Sequence, residues 1–143
     1  PALPYRKEAA IQRYGFAVYD RVVFEFPRRF WPEGDIFYQY VADERGYFPL
    51  WQNLNHASQL GAGPPYLLML SVVNTGAQRL ELQPENTTSS EALAVLRAMF
   101  PNTEVPAPKS VLFHRWGADP LFFGSQSFWP VGVSADEKAE ICA

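Results

Sequence analysis

The sequence predicts an α+β fold, with a mixed and largely antiparallel sheet flanked by helices. Two observations lead to this expectation. Short apolar runs alternate along the chain with turn residues, and the segment 89–100 has the apolar periodicity of a helix. The 143 residues have the size of a single domain and are enough to bury a core. Aromatic residues make up 15% of the chain, so part of this surface is expected to meet another domain or a ligand.

The first elements are a short helix and a strand. Pro4 suits the first turn of a helix over residues 5–13, and Gly15 suits its end. A strand is predicted over residues 20–26, because alternate residues there are apolar. Alternate residues of a strand point to opposite faces. We therefore expect one set to face the helix layer and the other to face away, namely Val22, Phe24 and Phe26 against Arg21, Val23 and Glu25.

Three more strands are predicted in the first half of the chain. Two of them, over residues 36–41 and 47–54, are separated by the turn sequence at 43–46. The third, over residues 66–73, is a continuous apolar run, which is typical of a strand buried on both faces.

The clearest predicted helix covers residues 89–100. Thr88 and Glu91 have the spacing of a capping box, and Pro101 ends the pattern. We expect this helix to pack on the sheet through one apolar stripe, formed by Ala92, Leu93, Leu96, Met99 and Phe100. The rest of the chain is predicted to be a strand over 109–116, an irregular aromatic segment over 117–133 and a short polar helix over 135–143.

Composition argues against several classes of function. The net charge is −3 and no basic patch stands out, so nucleic acid is not an expected partner. The longest apolar run has the length of a strand, so no membrane span is predicted. His56 and His114 lie in different elements, and Cys142 is the only cysteine, so no metal site and no internal disulfide are expected. The sequence has no dinucleotide-binding or phosphate-binding glycine motif.

The cellular compartment stays open. Asn86-Thr87-Thr88 is a glycosylation sequon in a predicted loop, and the chain has no initiator methionine. Both are compatible with a secreted or organellar protein that has a mature or excised start.

Three segments, in conserved order and spacing over nearly the whole chain, resemble a known family. The first, residues 16–34, contains F-P-R-R-F-W-P-E-G, and the second covers residues 94–106. The third joins R-W-G-A-D-P at 115–120 to G-S-Q-S-F-W-P-V-G-V at 124–133. They resemble the FAD-dependent amine oxidases, and plant-type polyamine oxidases most closely. The third segment is also similar to a motif of monoamine oxidases and flavin-dependent histone demethylases.

The resemblance implies that residues 1–143 are a substrate-binding domain fragment of a flavin amine oxidase, without the FAD-binding segments. The expected cofactor is FAD in the parent protein, and this chain alone is not expected to hold it. The expected partners are the FAD-binding remainder, or another protein chain, and a polyamine-type substrate. In such enzymes the flavin takes hydride from the carbon next to an amine, and oxygen reoxidises the flavin.

The resemblance also implies five candidate site residues. Arg21 stands where the family has a lysine near the reactive flavin nitrogen, and Tyr19 matches a tyrosine that lines the site. Trp116 matches a tryptophan beside the flavin ring, and Trp51 lies in a strand that provides a tunnel tryptophan in the histone demethylases. Gln126 replaces an aromatic residue of the clamp around the amine. An ion-paired strand residue is an equal alternative for Arg21, and ordinary core packing is an alternative for both tryptophans.

Three hypotheses for function follow. The chain is part of a working amine oxidase, a non-catalytic oxidase-like domain that serves binding or assembly, or a subunit of a larger complex. The two departures from the family pattern, Arg21 and Gln126, keep the second hypothesis open.

Overall fold

The computed structural model describes residues 2–142, which contain four helices and seven strands. In chain order they are α1 Tyr5–Arg13, β1 Gly15–Ala17, β2 Tyr19–Phe26, β3 Phe37–Gln39, β4 Leu50–Asn53, β5 Tyr66–Val73, α2 Asn74–Leu82, α3 Glu85–Met99, β6 Ser110–Phe113, β7 Gln126–Phe128 and α4 Ala135–Cys142. None of the helices in this part of the chain is long and apolar enough to cross a membrane.

Five strands form the main sheet, in the order β3-β4-β5-β2-β6. Every neighbouring pair in it is antiparallel. A second, two-stranded sheet joins β1 to β7, and it is also antiparallel. The predicted α+β class is confirmed, and the strand pairs within residues 2–142 are antiparallel throughout.

The register of β2 agrees with the sequence pattern. Asp20, Val22, Phe24 and Phe26 are buried, whereas Arg21 between them is exposed. Val22 lies opposite Leu70 of β5, and Arg21 lies opposite Ser71. The expectation that Arg21 points away from Val22 and Phe24 is therefore confirmed.

The core lies between one face of the main sheet and helices α2 and α3. Leu96 of α3 is fully buried there, and Leu93 and Phe100 pack against the same cluster while partly exposed. This confirms the predicted packing of the third helix on the sheet. Because apolar area removed from water stabilises a fold in proportion to its size, this face contributes most of the hydrophobic stabilisation.

Three strands are shorter than predicted. β3, β4 and β6 cover Phe37–Gln39, Leu50–Asn53 and Ser110–Phe113. Before β4, Phe48 adopts a positive φ of 45°, a left-handed conformation that cannot belong to an extended strand. Its side chain is nevertheless buried, so apolar residues in this loop resembled part of a strand.

The helix after β5, α2, was not predicted, and the predicted N-terminus of α3 is wrong. α3 begins at Glu85, because the carbonyl of Pro84 accepts hydrogen bonds from the amides of Thr87 and Thr88 at 3.0 and 3.1 Å. Thr88 is thus buried inside the helix and does not cap it. Its hydroxyl accepts a hydrogen bond from the Gln83 side chain at 2.8 Å. The sequon at Asn86 lies in the first turn of this helix and not in a loop.

The remaining predictions are confirmed with small changes. α1 and β5 have the predicted bounds. Within β5, Leu68, Met69, Leu70, Ser71 and Val72 are all buried, but Val73 is half exposed. β7 forms inside the segment predicted to be irregular, and α4 agrees with the helix predicted over 135–143, whose last residue lies outside the described part.

Candidate functional site

The main sheet has a second face, opposite the core, which we call the outer face. From β2 it carries Tyr19, Arg21, Val23 and Glu25, because these alternate with the buried set. No helix of the main core covers Arg21, which is exposed to solvent. The candidate site lies at the end of this face where β2 begins.

A cavity of about 370 Å³ opens at that end of the sheet. Its lining comes from β1, the start of β2, the junction of β5 with α2, and β7: Ala17, Val18, Tyr19, Val73, Asn74, Gln126 and Phe128. We call it the Tyr19 pocket. Two of the predicted site residues, Tyr19 and Gln126, therefore meet in one cavity although they are far apart in sequence.

Pairing of the small sheet brings these residues together. Ala17 of β1 lies opposite Gln126 of β7, and the Ser125 amide donates to the Ala17 carbonyl at 3.0 Å. The backbone amide of Tyr19 donates in turn to the Ser125 hydroxyl. Through these two hydrogen bonds Ser125 holds the start of β7 beside the start of β2.

Tyr19 sits in a polar setting on the outer face. Its hydroxyl donates to the Ser71 hydroxyl at 3.3 Å. A hydrogen bond that the Ser71 hydroxyl donates to the ionised phenol lowers the pKa of Tyr19, and the nearby Arg21 lowers it as well, while partial burial opposes the shift. The Arg21 guanidinium carbon lies 5.3 Å from the centre of the Tyr19 ring, a cation–π geometry.

Asp20 lies between these two residues and points the other way. It is 0% exposed, and among residues 2–142 neither carboxyl oxygen has a partner within hydrogen-bond distance. Burial, with a smaller contribution from the negative charge of Glu81, raises the pKa of Asp20 to about 7, against the opposing effects of the Trp116 backbone and of Arg115. The sequence reasoning missed Asp20, although its position in the same alternating set as Val22 could have marked it as a carboxyl on the core face.

Trp116 lies outside the Tyr19 pocket. It is partly buried in a small cluster after β6, with ring centres 4.1 Å from His114 and 5.0 Å from Phe122. The next residue, Gly117, donates its amide to Glu81 Oε1 at 2.6 Å. A Cβ at position 117 would come within 2.9 Å of a Val18 methyl group, so only glycine allows this close approach.

Trp51 is in the core. It is 0% exposed, its ring centre lies 5.7 Å from that of Phe24, and its indole nitrogen donates to the Phe48 carbonyl at 3.1 Å. The structure favours the core-packing alternative for Trp51, because a ligand on the outer face has no access to this side chain.

The model of one family, described as flavin containing amine oxidoreductase, matches residues 1–140. The chain belongs to this family.

Curated relatives agree with the family assignment. The chain is 37% identical to polyamine oxidase 7 of Oryza sativa subsp. japonica and 36% identical to polyamine oxidase 1 of Zea mays, in each case over 100% of its own length. It is also 35% identical over 96% of its length to lysine-specific histone demethylase 1 homolog 1 of Arabidopsis thaliana. It spans 30%, 28% and 16% of these three relatives, so each of them is a much longer protein.

The described residues can be compared with the elements that usually hold a dinucleotide such as FAD. A dinucleotide is usually held where a parallel strand leads through a glycine-rich turn into a helix. The pairs described here are all antiparallel, and the cavity beside Tyr19 is lined by a phenol, two amides and apolar groups. The residues present fit contact with one side of a bound ligand. They do not fit a pyrophosphate cradle.

Proposed function

We propose that this chain is the substrate-binding part of an FAD-dependent amine oxidase of the polyamine oxidase type. The observation that carries the proposal is the Tyr19 pocket, where Tyr19 and Gln126 meet beside Arg21 on the outer face. These residues come from separate family motifs, and their convergence in one cavity is what a binding site requires. The flavin, when bound, would accept hydride from the carbon next to the amine, with oxygen as the final acceptor.

The residues of this chain would bind and orient the amine. The mostly apolar lining, with Val73 and Phe128, removes water from an alkyl chain, while the phenol and amides hold polar groups. An arginine side chain suits the positioning of charge and not the transfer of protons, so this is the role we assign to Arg21.

Exposed apolar side chains support a further partner. Leu121, Phe122 and Phe123 are consecutive in sequence and are 85%, 52% and 71% exposed. An exposed apolar segment of this kind often marks a surface that another domain or protein covers. We propose that the FAD-binding remainder, in the same polypeptide or in another chain, covers this segment.

The test uses the full-length protein with FAD and follows hydrogen peroxide formed from spermidine. The proposal expects amine-dependent peroxide, and a rise in KM of about tenfold in Tyr19→Phe, because the phenol would lose its polar contacts. Tyr5→Phe is the matched control, since Tyr5 is 83% exposed on α1. A protein that retains FAD but gives no peroxide with any amine contradicts the proposal.

Arg21 and Gln126 favour a second candidate, a non-catalytic binding or assembly domain. Arginine cannot reproduce a lysine that changes its protonation, and an amide offers no aromatic face to an amine. This candidate expects that amine does not reduce the bound flavin and that Arg21→Lys with Gln126→Phe restores reduction. Reduction of the flavin in the unmodified protein would exclude it.

A further inference from the structure

We propose that the Tyr19 pocket selects an amine that also carries a carboxylate, with the carboxylate held beside Arg21. This inference rests on the proposed function and names the substrate class for the same site. It differs from the expectation for a polyamine, whose ends are all cationic.

The lining of the pocket supplies groups that suit an anion. Its polar side chains are the Tyr19 phenol and the amides of Asn74 and Gln126. The two amides can each donate a hydrogen bond to a carboxylate oxygen, whereas the Tyr19 hydroxyl donates to Ser71. Among the described residues that line the cavity none is acidic, so this wall offers an ammonium group no opposite charge.

Arg21 places a positive charge beside Tyr19, which lines the pocket. Its guanidinium packs 5.3 Å from the centre of the Tyr19 ring, on the same face of β2 and with its side chain exposed. A guanidinium binds a carboxylate through two parallel hydrogen bonds. The same charge repels a second ammonium group, so it discriminates between the two kinds of ligand end.

The nearest carboxylates of β2 do not cancel this charge. Asp20 is buried on the opposite face of the strand, beside Glu81. Glu25 shares the outer face, but at four residues along a strand it lies about 13 Å from Arg21. Glu25 also accepts a hydrogen bond from Ser110 at 3.0 Å. The beginning of β2 is therefore the cationic end of the outer face.

A pair of matched probes tests the inference. δ-Aminovalerate and putrescine share the same methylene chain and one amino group, and they differ only in a carboxylate against a second ammonium. Equilibrium binding to the full-length protein is measured by calorimetry. We expect δ-aminovalerate to bind about tenfold tighter or more, as a charge-assisted pair would give.

Two variants distinguish an effect of Arg21 at the pocket from an effect of the net charge of the protein. Arg21→Gln should remove the preference for δ-aminovalerate over putrescine. Arg97→Gln removes the same charge from an exposed position on α3, and it should keep that preference. Equal or tighter binding of putrescine, no binding of either probe, or equal losses in both variants would overturn the inference. The measurement needs no turnover, so a failure to form peroxide would count against the proposed function alone.

Discussion

The two faces of β2 carry alternate residues of one strand and lie in different surroundings. On the core face, Val22 and Phe24 are completely buried among the residues of the sheet and α3. On the outer face, Tyr19 borders a cavity and Arg21 meets solvent. One strand thus packs into the core through one face and borders a cavity and solvent through the other.

The two faces of β2 also differ in the kinds of residue that they carry. Among the described residues, the core face of β2 carries three apolar side chains and the carboxyl of Asp20, which has no hydrogen-bond partner there. The outer face mixes Arg21 and Glu25 with apolar groups, a composition that suits contact with a ligand or another domain more than a closed core. Changes on the two faces should therefore affect different properties.

The largest expected effect is on the core face. Leu96→Ala should lower the free energy of unfolding by about 2–5 kcal/mol, because it leaves a cavity in a closed core. Leu112→Ala is the matched change on the outer face of β6, where the side chain is 72% exposed, and it should cost at most about 0.5 kcal/mol. Urea unfolding measures both. Equal losses would mean that the outer face is part of the core.

The second expected effect depends on pH. The folded state raises the pKa of Asp20 to about 7 through burial, so between about pH 4 and pH 7 the folded protein holds a proton that the unfolded chain has lost. Stability should therefore fall as pH rises through this window and level off above it. From pH 5 to pH 8 the loss due to this group is about 2 kcal/mol.

Asp20→Asn checks that assignment. The variant cannot ionise, so the difference in unfolding free energy between pH 5 and pH 8 should shrink by about 2 kcal/mol. Asp43→Asn serves as the control, since Asp43 is exposed in the loop before β4. If Asp20→Asn keeps the full pH dependence of the unmodified chain, the buried carboxyl is not its source.

The smallest expected effect is the stability change in Arg21→Ala. The side chain is exposed, so its removal should change the free energy of unfolding by no more than about 0.5 kcal/mol. Chemical denaturation under the conditions used for Leu96→Ala provides the value. A loss of more than about 2 kcal/mol would show that Arg21 is a structural residue, as the ion-pair alternative implies.

Sequence reasoning recovered the elements in which local pattern and burial agree. Alternation fixed the register of β2, and the continuous apolar run fixed β5, because both strands lie at the centre of the sheet. It failed where tertiary contacts determine the secondary structure. α2 has a weak apolar pattern, and the burial of Ala77 and Leu80 stabilises it. Thr88 lies buried inside α3, where its hydroxyl accepts a hydrogen bond from Gln83.

The candidate site could be predicted from the sequence only in part, again because tertiary contacts bring its residues together. Tyr19, Arg21 and Gln126 were found through their motifs, but only the pairing of β1 with β7 shows that Tyr19 and Gln126 share a cavity. Asn74 was not found, because it contributes through the irregular junction of β5 and α2, where its φ is 50°. A pattern of apolar residues carries no information about such a junction.

We propose that the outer face of β2 borders the bound amine, whereas the core face supports the fold. Anaerobic reduction of the flavin by amine in the full-length protein tests this most directly, with Arg21→Ala compared with Arg97→Ala. The account predicts a change in reduction rate of about tenfold or more in Arg21→Ala, at unchanged stability, and none in Arg97→Ala. Identical reduction rates in both variants and the unmodified protein would contradict it.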